Sequence, residues 1–430
     1  METLKKGRRL VGENGGLYEI ESLISQGTGQ GDIYRAHNAK KERFAIKLFH
    51  KGDTVALRKQ IERLIRRGQA CEAFVTPIEI VQADGRTGYA MELVGKEYIS
   101  AAALFNGVEE NGRRVALDWS IKLVLLAKIA DALAVLANAD LGVMDVKFDN
   151  IKIDIENLRV RILDTDTIVY AKDKSVVLGT VGFMPPLTMT GKEKPNRYND
   201  AYAVAVLIFM SLIGIHPLDG KRRNQPCNEH IDTYLFGTHP VYVFHPTDTS
   251  NRPIPSDGLG RQQQCAIDKM KKYPDYFKKA MERTFVDGLF QGEKRVAIAE
   301  WSEILERLYL DGFICENCGE EHFLDTNAKE CNACQKPLEK PVYLRGERGL
   351  PLFNGLIVYS DDLLVTANRY ELFKVVTTKF DGRFGLECLT GNTVTLRLKN
   401  GEERVFARGD IFPIFLDSEI EVENKIFNFM

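Results

Sequence analysis

Three runs of this chain bring together residue types suited to phosphate and metal chemistry. Asp145-Val146-Lys147-Phe148-Asp149-Asn150 offers a carboxylate, an ammonium two residues later and an amide five residues later. Ile162-Leu163-Asp164-Thr165-Asp166 adds further carboxylates after an apolar stretch. Hard oxygen ligands of this kind suit Mg2+, which usually keeps waters and substrate phosphates as its other ligands. Upstream, Gly27, Gly29 and Gly31 lie between two strand-like runs. Without Cβ atoms, backbone there can turn tightly and approach a phosphate, although a flexible hairpin is the plainer reading. Sixteen residues after Gly31, Ala45-Ile46-Lys47 places a lysine in an otherwise apolar strand pattern. Such a lysine needs a partner, because an unpaired ammonium is costly to desolvate.

A fourth run carries a different chemistry. Cys315, Cys318, Cys331 and Cys334 form C-x2-C-x12-C-x2-C. Two such knuckles supply four thiolates, which close the tetrahedral shell of a structural Zn2+ and leave no position for a catalytic water. A redox dithiol is the competing reading. His322 reads as a neighbour of the metal site rather than a ligand, and Cys71, Cys227, Cys265 and Cys388 read as ordinary thiols.

The elements that must hold these groups follow from periodicity. Residues 17–50 alternate as strands do, a helix is predicted over 53–67 with Ile61, Leu64 and Ile65 on one face, and short strands return over 74–94. A helix is predicted over 118–139, strands over 151–169, and mainly helix over 198–312, interrupted by the Pro/Asn/Asp-rich stretch 219–262. After Gly312 the texture changes to the cysteine knuckles (313–337) and then to short strands with Gly, Asn and Asp turns (341–430), clearest in the hairpin pattern at 392–401. The expected division is therefore 1–312 (a β-rich part to about 95, then a mainly α part), a ribbon at 313–337 and a small β module at 341–430.

The 430 residues are 44% hydrophobic and 27% charged with net charge −2, a globular composition without the basic excess that nucleic acid or anionic membranes attract. Residues 313–430 carry 14 Lys+Arg against 19 Asp+Glu, which makes nucleic-acid binding there unattractive. The apolar run Ala201–Ile215 is too short for a bilayer and reads as a buried helix. No secretory pattern follows the charged N-terminus, so a cytoplasmic, soluble protein is expected.

In their order, G-x-G, A-I-K, D-x-K-x-x-N and an Asp after a strand resemble the eukaryotic-like (Hanks-type) Ser/Thr protein kinases. Gly179-Thr180-Val181-Gly182-Phe183-Met184-Pro185-Pro186 resembles the end of a kinase activation segment. Asp200 resembles the aspartate that pins the catalytic loop, and His216-Pro217 and Arg295 near Trp301 also fit. The resemblance covers about residues 17–312. It implies an α+β, bilobal fold with a β-rich N-lobe and a mainly α C-lobe, using ATP and Mg2+ on a protein substrate. Gly27, Gly29 and Gly31 would cover the phosphates, Ile33 and Ala45 would face the adenine, and Lys47 would contact the α/β-phosphates. Glu62 would pair with Lys47, with Glu72 the second candidate. Met91 would precede a hinge at Glu92-Leu93-Val94. Asp145 would orient and deprotonate the substrate hydroxyl, Lys147 would stabilise the moving phosphoryl group, and Asn150 and Asp164 would hold Mg2+. Lys147 and Thr180 resemble the Ser/Thr-specific branch.

The chain departs from the pattern at four places. The glycine loop is compressed, Val143-Met144 replaces His-Arg, Asp164-Thr165-Asp166 replaces Asp-Phe-Gly, and Leu187 stands where a glutamate usually pairs with the late arginine. Without the usual arginine, activity independent of loop phosphorylation is expected, although Thr165, Thr167, Ser175 and Thr180 offer hydroxyls. The stretch 219–262 resembles a bacterial kinase group linked to tellurite-resistance-like systems. That resemblance implies a von Willebrand-type domain protein and a metal-dependent phosphatase as partners. Its histidines, His230, His239 and His245, read as structural or solvated. The alternative to an active kinase is a pseudokinase-like, nucleotide-binding scaffold.

Overall fold

A computed structural model describes residues 3–26, 31–50, 55–106, 117–170, 179–226, 228–255, 260–324, 326, 328–338, 342–345, 349–352, 355–364, 370–377 and 384–430, the side chains of 56, 361 and 362 excepted. Gly27, Gly29, Ser175 and Cys227 lie outside the described residues.

The N-terminal part is one antiparallel sheet. Strands β1 (Arg9–Val11), β2 (Leu17–Ser25), β3 (Gly31–His37), β4 (Arg43–Phe49), β5 (Pro77–Ala83) and β6 (Arg86–Glu92) take the order β1-β2-β3-β4-β6-β5. Helix α1 (Val55–Arg67) falls between β4 and β5. Strand period 2 decides what each face carries. On β4, Ile46 and Leu48 join Tyr18, Ile20, Tyr34 and Val81 in one apolar layer. Ala45 and Phe49 turn to the opposite face, where they pack with Ile61 of α1, Ile80, Tyr89 and Met91. Lys47 shares that second face by the same alternation.

The mainly helical part begins with β7 (Ile99–Ser100), α2 (Ala101–Asn106) and α3 (Trp119–Asn138). Short strands β8 (Leu141–Gly142), β9 (Ile151–Asp154), β10 (Arg159–Ile162) and β11 (Val169–Tyr170) follow. They form two small sheets, β10-β9-β7 and β11-β8. Next come α4 (Pro186–Met189), α5 (Asn199–Ile213), the short α6 (Ile231–Thr233), α7 (Gly260–Lys272), α8 (Asp275–Glu282) and α9 (Ile298–Asp311). Helix α5 is buried on nearly every side, as its uninterrupted apolar run requires. No described helix is long and apolar enough to cross a membrane.

In the described residues of 219–255, side-chain bonds tie short helical turns together. The buried Asn251 donates to the Leu218 and Val241 carbonyls at 3.0 and 2.7 Å and accepts from the Arg222 amide at 3.0 Å. The histidines of this stretch serve local turns: His230 and His245 accept from backbone amides two or three residues ahead, and His239 stacks on Tyr234 at 4.6 Å.

The chain divides into two compact units, 1–271 with 277–305, and 272–276 with 306–430. The second unit contains the hairpin β12 (Gly312–Ile314) and β13 (Glu321–Phe323). Beyond it lie β14 (Tyr343–Arg345), β15 (Gly349–Pro351), β16 (Ile357–Tyr359), α10 (Ser360–Leu363), β17 (Glu371–Thr377), β18 (Phe384–Cys388), β19 (Val394–Arg397), β20 (Glu403–Phe406), β21 (Ile411–Pro413), β22 (Glu419–Val422) and β23 (Lys425–Phe429). Sheets β15-β14-β23-β22-β19-β20 and β16-β17-β18-β21 share one apolar core that includes Leu344, Leu372, Phe373, Leu386, Leu396, Phe412 and Phe429. The predicted hairpin at 392–401 is the β19–β20 pair, its turn at Asn400-Gly401 with Gly401 at φ +83°.

Candidate active site

The site is built where the segment after α1 meets the ends of β8, β9 and β10. Residues 73–75 lie beside β10: the Ile162 amide donates to the Ala73 carbonyl at 2.7 Å, and the Val75 amide donates to Ile162 at 3.0 Å. The Leu163 amide donates to the Asn150 carbonyl at 2.8 Å, which holds the Asp164 turn against the Asp145–Asn150 loop. Thr165 replaces the expected aromatic wedge with a hydrogen bond, its hydroxyl donating to the Val75 carbonyl at 2.6 Å.

The loop carrying Asp145 hangs on α5. The Val143 and Met144 amides both donate to the Asp200 carboxylate, at 2.6 and 3.0 Å, as expected of an aspartate opening that helix. Asn150 then donates to the Asp145 carbonyl at 2.9 Å, which aims the carbonyl end of its amide elsewhere. Lys147 Nζ lies 3.0 Å from Asp145 Oδ2 and donates to Thr180 Oγ1 at 3.0 Å. Thr180 donates to Asp145 Oδ1 at 2.6 Å. A carboxylate, an ammonium and a hydroxyl thus form a closed triangle, the arrangement needed to hold an alcohol while its proton is accepted and nearby negative charge is balanced. The turn bearing Thr180 is fastened by His216, whose Nε2–H donates to the Gly182 carbonyl at 2.8 Å, while Nδ1 accepts from the Leu218 amide.

Across from this triangle, Lys47 Nζ is 3.2 Å from Asp164 and 2.9 and 3.1 Å from the two oxygens of Asp166. Burial works to lower the Lys47 pKa, but attraction by Asp166 and then Asp164 raises it overall, so the ammonium is secure at neutral pH. Asp164 itself holds a left-handed φ of 54°.

Glu62 does not take the place expected of it. Its side chain is bound to Arg58 one turn earlier, at 3.2 Å. The residue of α1 that reaches the site is Gln60, whose amide donates to the Asp166 carbonyl. Glu72 pairs with Arg161. The physical reason is phase: Ile61 and Leu64 fix the buried stripe of α1 and leave Glu62 beside the half-buried Arg58, which also pairs with Glu13. The remaining expected residues cluster. Ile33, Ala45, Met91, Leu93 and Leu163 belong to one apolar group, several of them only half-buried, which suits a flat ring. Glu92 follows Met91 at an exposed position, 3.5 Å from Arg161. Gly31 opens β3, where a Cβ would lie 2.4 Å from the Leu48 carbonyl oxygen, so strand packing alone requires glycine there.

Sequence reasoning missed Asp166 and Tyr89 as members of the site. The signal was present in the second carboxylate of Asp164-Thr165-Asp166, but a one-turn 3-10 helix over 165–167 was needed to bring it back beneath Lys47.

Arg295, deprived of a glutamate at 187, is not orphaned. It donates to the carbonyls of Gly288 and Tyr198 at 2.8 and 2.9 Å and lies over the Tyr202 ring at 5.3 Å.

In the second unit the four cysteine Sγ atoms lie within 4.8 Å of one another, a group that could hold a metal ion. Cys315–Cys334 and Cys318–Cys331 are 3.8 and 3.6 Å apart. Each knuckle closes identically: the Cys315 and Cys331 amides donate to Glu320 and Lys336, and the Gly319 and Gln335 amides donate back to Cys315 and Cys331. Burial opposes ionisation of Cys315, yet the amides of Asn317 and Cys318 draw its thiol down to about 7. His322 Nε2 stands 3.3 Å from Cys331 Sγ.

The family model described as protein kinase domain matches residues 18–273. Among solved structures, the kinase domain of Mycobacterium tuberculosis PknI aligns with 71% of this chain and 99% of its own, at 15% identity and a TM-score of 0.43. No curated protein matches.

Proposed function

Since this chain belongs to the protein kinase domain family, we propose that it transfers the γ-phosphoryl group of ATP to Ser/Thr hydroxyls of a protein substrate. The observation that carries this reading is the Asp145–Thr180–Lys147 triangle. In it an aliphatic hydroxyl lies within hydrogen-bond reach of a carboxylate and an ammonium together, which supports this reading. Asp145 accepts the acceptor's proton, Lys147 balances charge on the moving group, and Lys47 holds the nucleotide phosphates. The half-buried apolar group from Ile33 to Leu163 receives the adenine, with Glu92 and Leu93 at the hinge.

The donor chemistry fits Mg2+. Asp164 is partly exposed, and the carbonyl end of Asn150 remains for a cation, held next door by the Leu163–Asn150 bond. When bound, the ion supplies positive charge between the phosphate oxygens. Asn150 and Asp164 would hold it.

The four cysteines fit Zn2+. Sulfurs bonded to zinc at about 2.3 Å stand about 3.8 Å apart along a tetrahedron's edge, and the separations of 3.8 and 3.6 Å match. We assign 1–312 to the catalytic domain, 313–337 to a zinc ribbon and 341–430 to a β module that docks a partner or substrate. A von Willebrand-type domain protein and a metal-dependent phosphatase as partners rest on the resemblance of 219–262; co-purification from a native host tests them.

The scaffold reading has one observation in its favour, the engagement of Asp164 by Lys47. Transfer of labelled γ-phosphate with Mg2+ separates the two. Label on a generic protein substrate that vanishes in Asp145→Ala is expected of the kinase, and phosphosite mapping should return Ser/Thr. ATP binding without any transfer would leave the scaffold.

A further inference from the structure

We propose that Asp166 is the positioning residue for Lys47, so that the carboxylate aligning the phosphate-binding lysine comes from the Asp164–Thr167 turn rather than from α1. The proposal rests on the nucleotide-binding role given to Lys47 above.

Asp166 is almost wholly buried, a costly place for a carboxylate unless it is paired and hydrogen-bonded. It is both. Lys47 donates to its two oxygens at 2.9 and 3.1 Å, and the Tyr89 hydroxyl donates to Oδ1 at 2.9 Å. Lys47 on β4 and Tyr89 on β6 are register partners in the sheet, so their spacing is set by the ladder itself. The backbone of the turn is fixed as well, by Thr165 on the Val75 carbonyl and Gln60 on the Asp166 carbonyl. Helix α1 therefore contributes an amide to the turn's backbone, while its Glu62 is committed to Arg58. A cation held by Asp164 and Asn150 would draw Asp164 from Lys47, and Asp166 is then the carboxylate left to hold the ammonium.

The sheet-and-loop origin of this pairing has a regulatory consequence. A helix carboxylate makes lysine alignment directly conditional on helix position, whereas the Asp166 carboxylate belongs to the same turn as Asp164 and meets α1 only through Gln60 on its backbone carbonyl.

The test compares Asp166→Asn, Glu62→Gln and Lys47→Met by equilibrium binding of ATP and of adenosine, and by kcat/KM for ATP. Adenosine lacks the phosphates that Lys47 contacts, so its affinity reports an intact pocket. Asp166→Asn should weaken ATP by roughly tenfold to a hundredfold, the scale of a misplaced positioning group, with adenosine held within about twofold. Its loss should exceed that of Glu62→Gln by at least roughly tenfold. Lys47→Met combined with Asp166→Asn should be little worse than Lys47→Met alone, because both remove one interaction. Equal loss of ATP and adenosine in Asp166→Asn would reduce the residue to a structural role and overturn the proposal. So would a loss in Glu62→Gln that matches Lys47→Met. If wild type binds ATP but transfers nothing, the kinase reading fails, and the ATP-against-adenosine contrast still decides the role of Asp166.

Discussion

Met144 holds φ at 66°, a left-handed value that strains a bulky side chain, and it does so one residue before Asp145, the proposed base. The strain is offset by the two amides that donate to Asp200. Burial raises the Asp200 pKa, those two amides oppose the rise, the charge of Asp145 adds to it, and the result stands at about 6. Below that pH one oxygen gains a proton and one amide loses its acceptor, so kcat should fall with an apparent pKa near 6. Asp200→Asn cannot accept from both amides. It should lower kcat about tenfold to a hundredfold, as a cost of roughly 1–3 kcal/mol implies, and flatten the acid limb. A limb that persists unchanged in Asp200→Asn assigns the titration elsewhere. His216 carries the opposite sign. Burial lowers its pKa from 6.5 to about 4, with the Gly182 carbonyl pulling the other way. The unfolded chain then binds the extra proton, so stability contributed above pH 6.5 is lost as pH falls towards 4, by up to roughly 3 kcal/mol before solvent screening reduces it. Asp200, raised rather than lowered, gains stability over its own window from about 6 down to its ordinary value. The two terms offset in the wild type. Urea midpoints for His216→Gln should therefore improve relative to wild type between pH 7 and pH 4.5, and a constant difference would sink the assignment.

At the scale of elements, what could be read in advance was period and order. Alternation in Arg43–Phe49 placed Lys47 on the face shared with Ala45 and Phe49, and the long apolar run of α5 announced a buried helix opened by Asp200. What could not be read was phase and rotation. A thirteen-residue helix with basic residues scattered along it leaves several orientations open, and only packing of Ile61 and Leu64 turned Glu62 towards Arg58. A one-turn 3-10 helix leaves no periodic trace, so Asp166 looked like an anomaly rather than a partner. Arg295 makes the same point. The missing glutamate at 187 was legible, but the carbonyls that replace it come from Tyr198, Gly288 and Leu289, brought together only by the turns around them. Because the acceptors fan out around a planar fork, Arg295→Lys should not substitute: one ammonium cannot reach all three while stacking on Tyr202. A loss of about 2–4 kcal/mol in chemical denaturation is expected, in line with breaking a buried charged network. A loss below about 0.5 kcal/mol would mean that the carbonyls are satisfied without the fork.

For the whole molecule, the proposed ribbon at 313–337 and β module at 341–430 belong to the same compact unit, yet their different apolar cores predict a different dependence on metal. The β module has its own continuous apolar core from Leu344 to Phe429. Among its described residues the ribbon has little besides Phe313, Phe323 and the sulfur cluster, with two three-residue strands flanking its first knuckle. Six strand residues and two buried phenylalanines cannot balance the chain entropy of about 25 residues, whereas structural zinc contributes on the order of 10–16 kcal/mol at neutral pH. A zinc-selective chelator should therefore release one zinc per chain and abolish hydrogen-exchange protection at the amides of Cys315, Gly319, Cys331 and Gln335. Amides of β17, β18, β19 and β22 should stay protected. ATP affinity, measured after Mg2+ is restored, should remain within about twofold, because every residue assigned to the nucleotide lies in the first unit. Cys331→Ser should reproduce the local loss without chelator, since one missing thiolate opens the tetrahedral shell. Loss of protection across both β sheets on chelation would show instead that the metal holds up the entire second unit and that the β module's core is insufficient by itself.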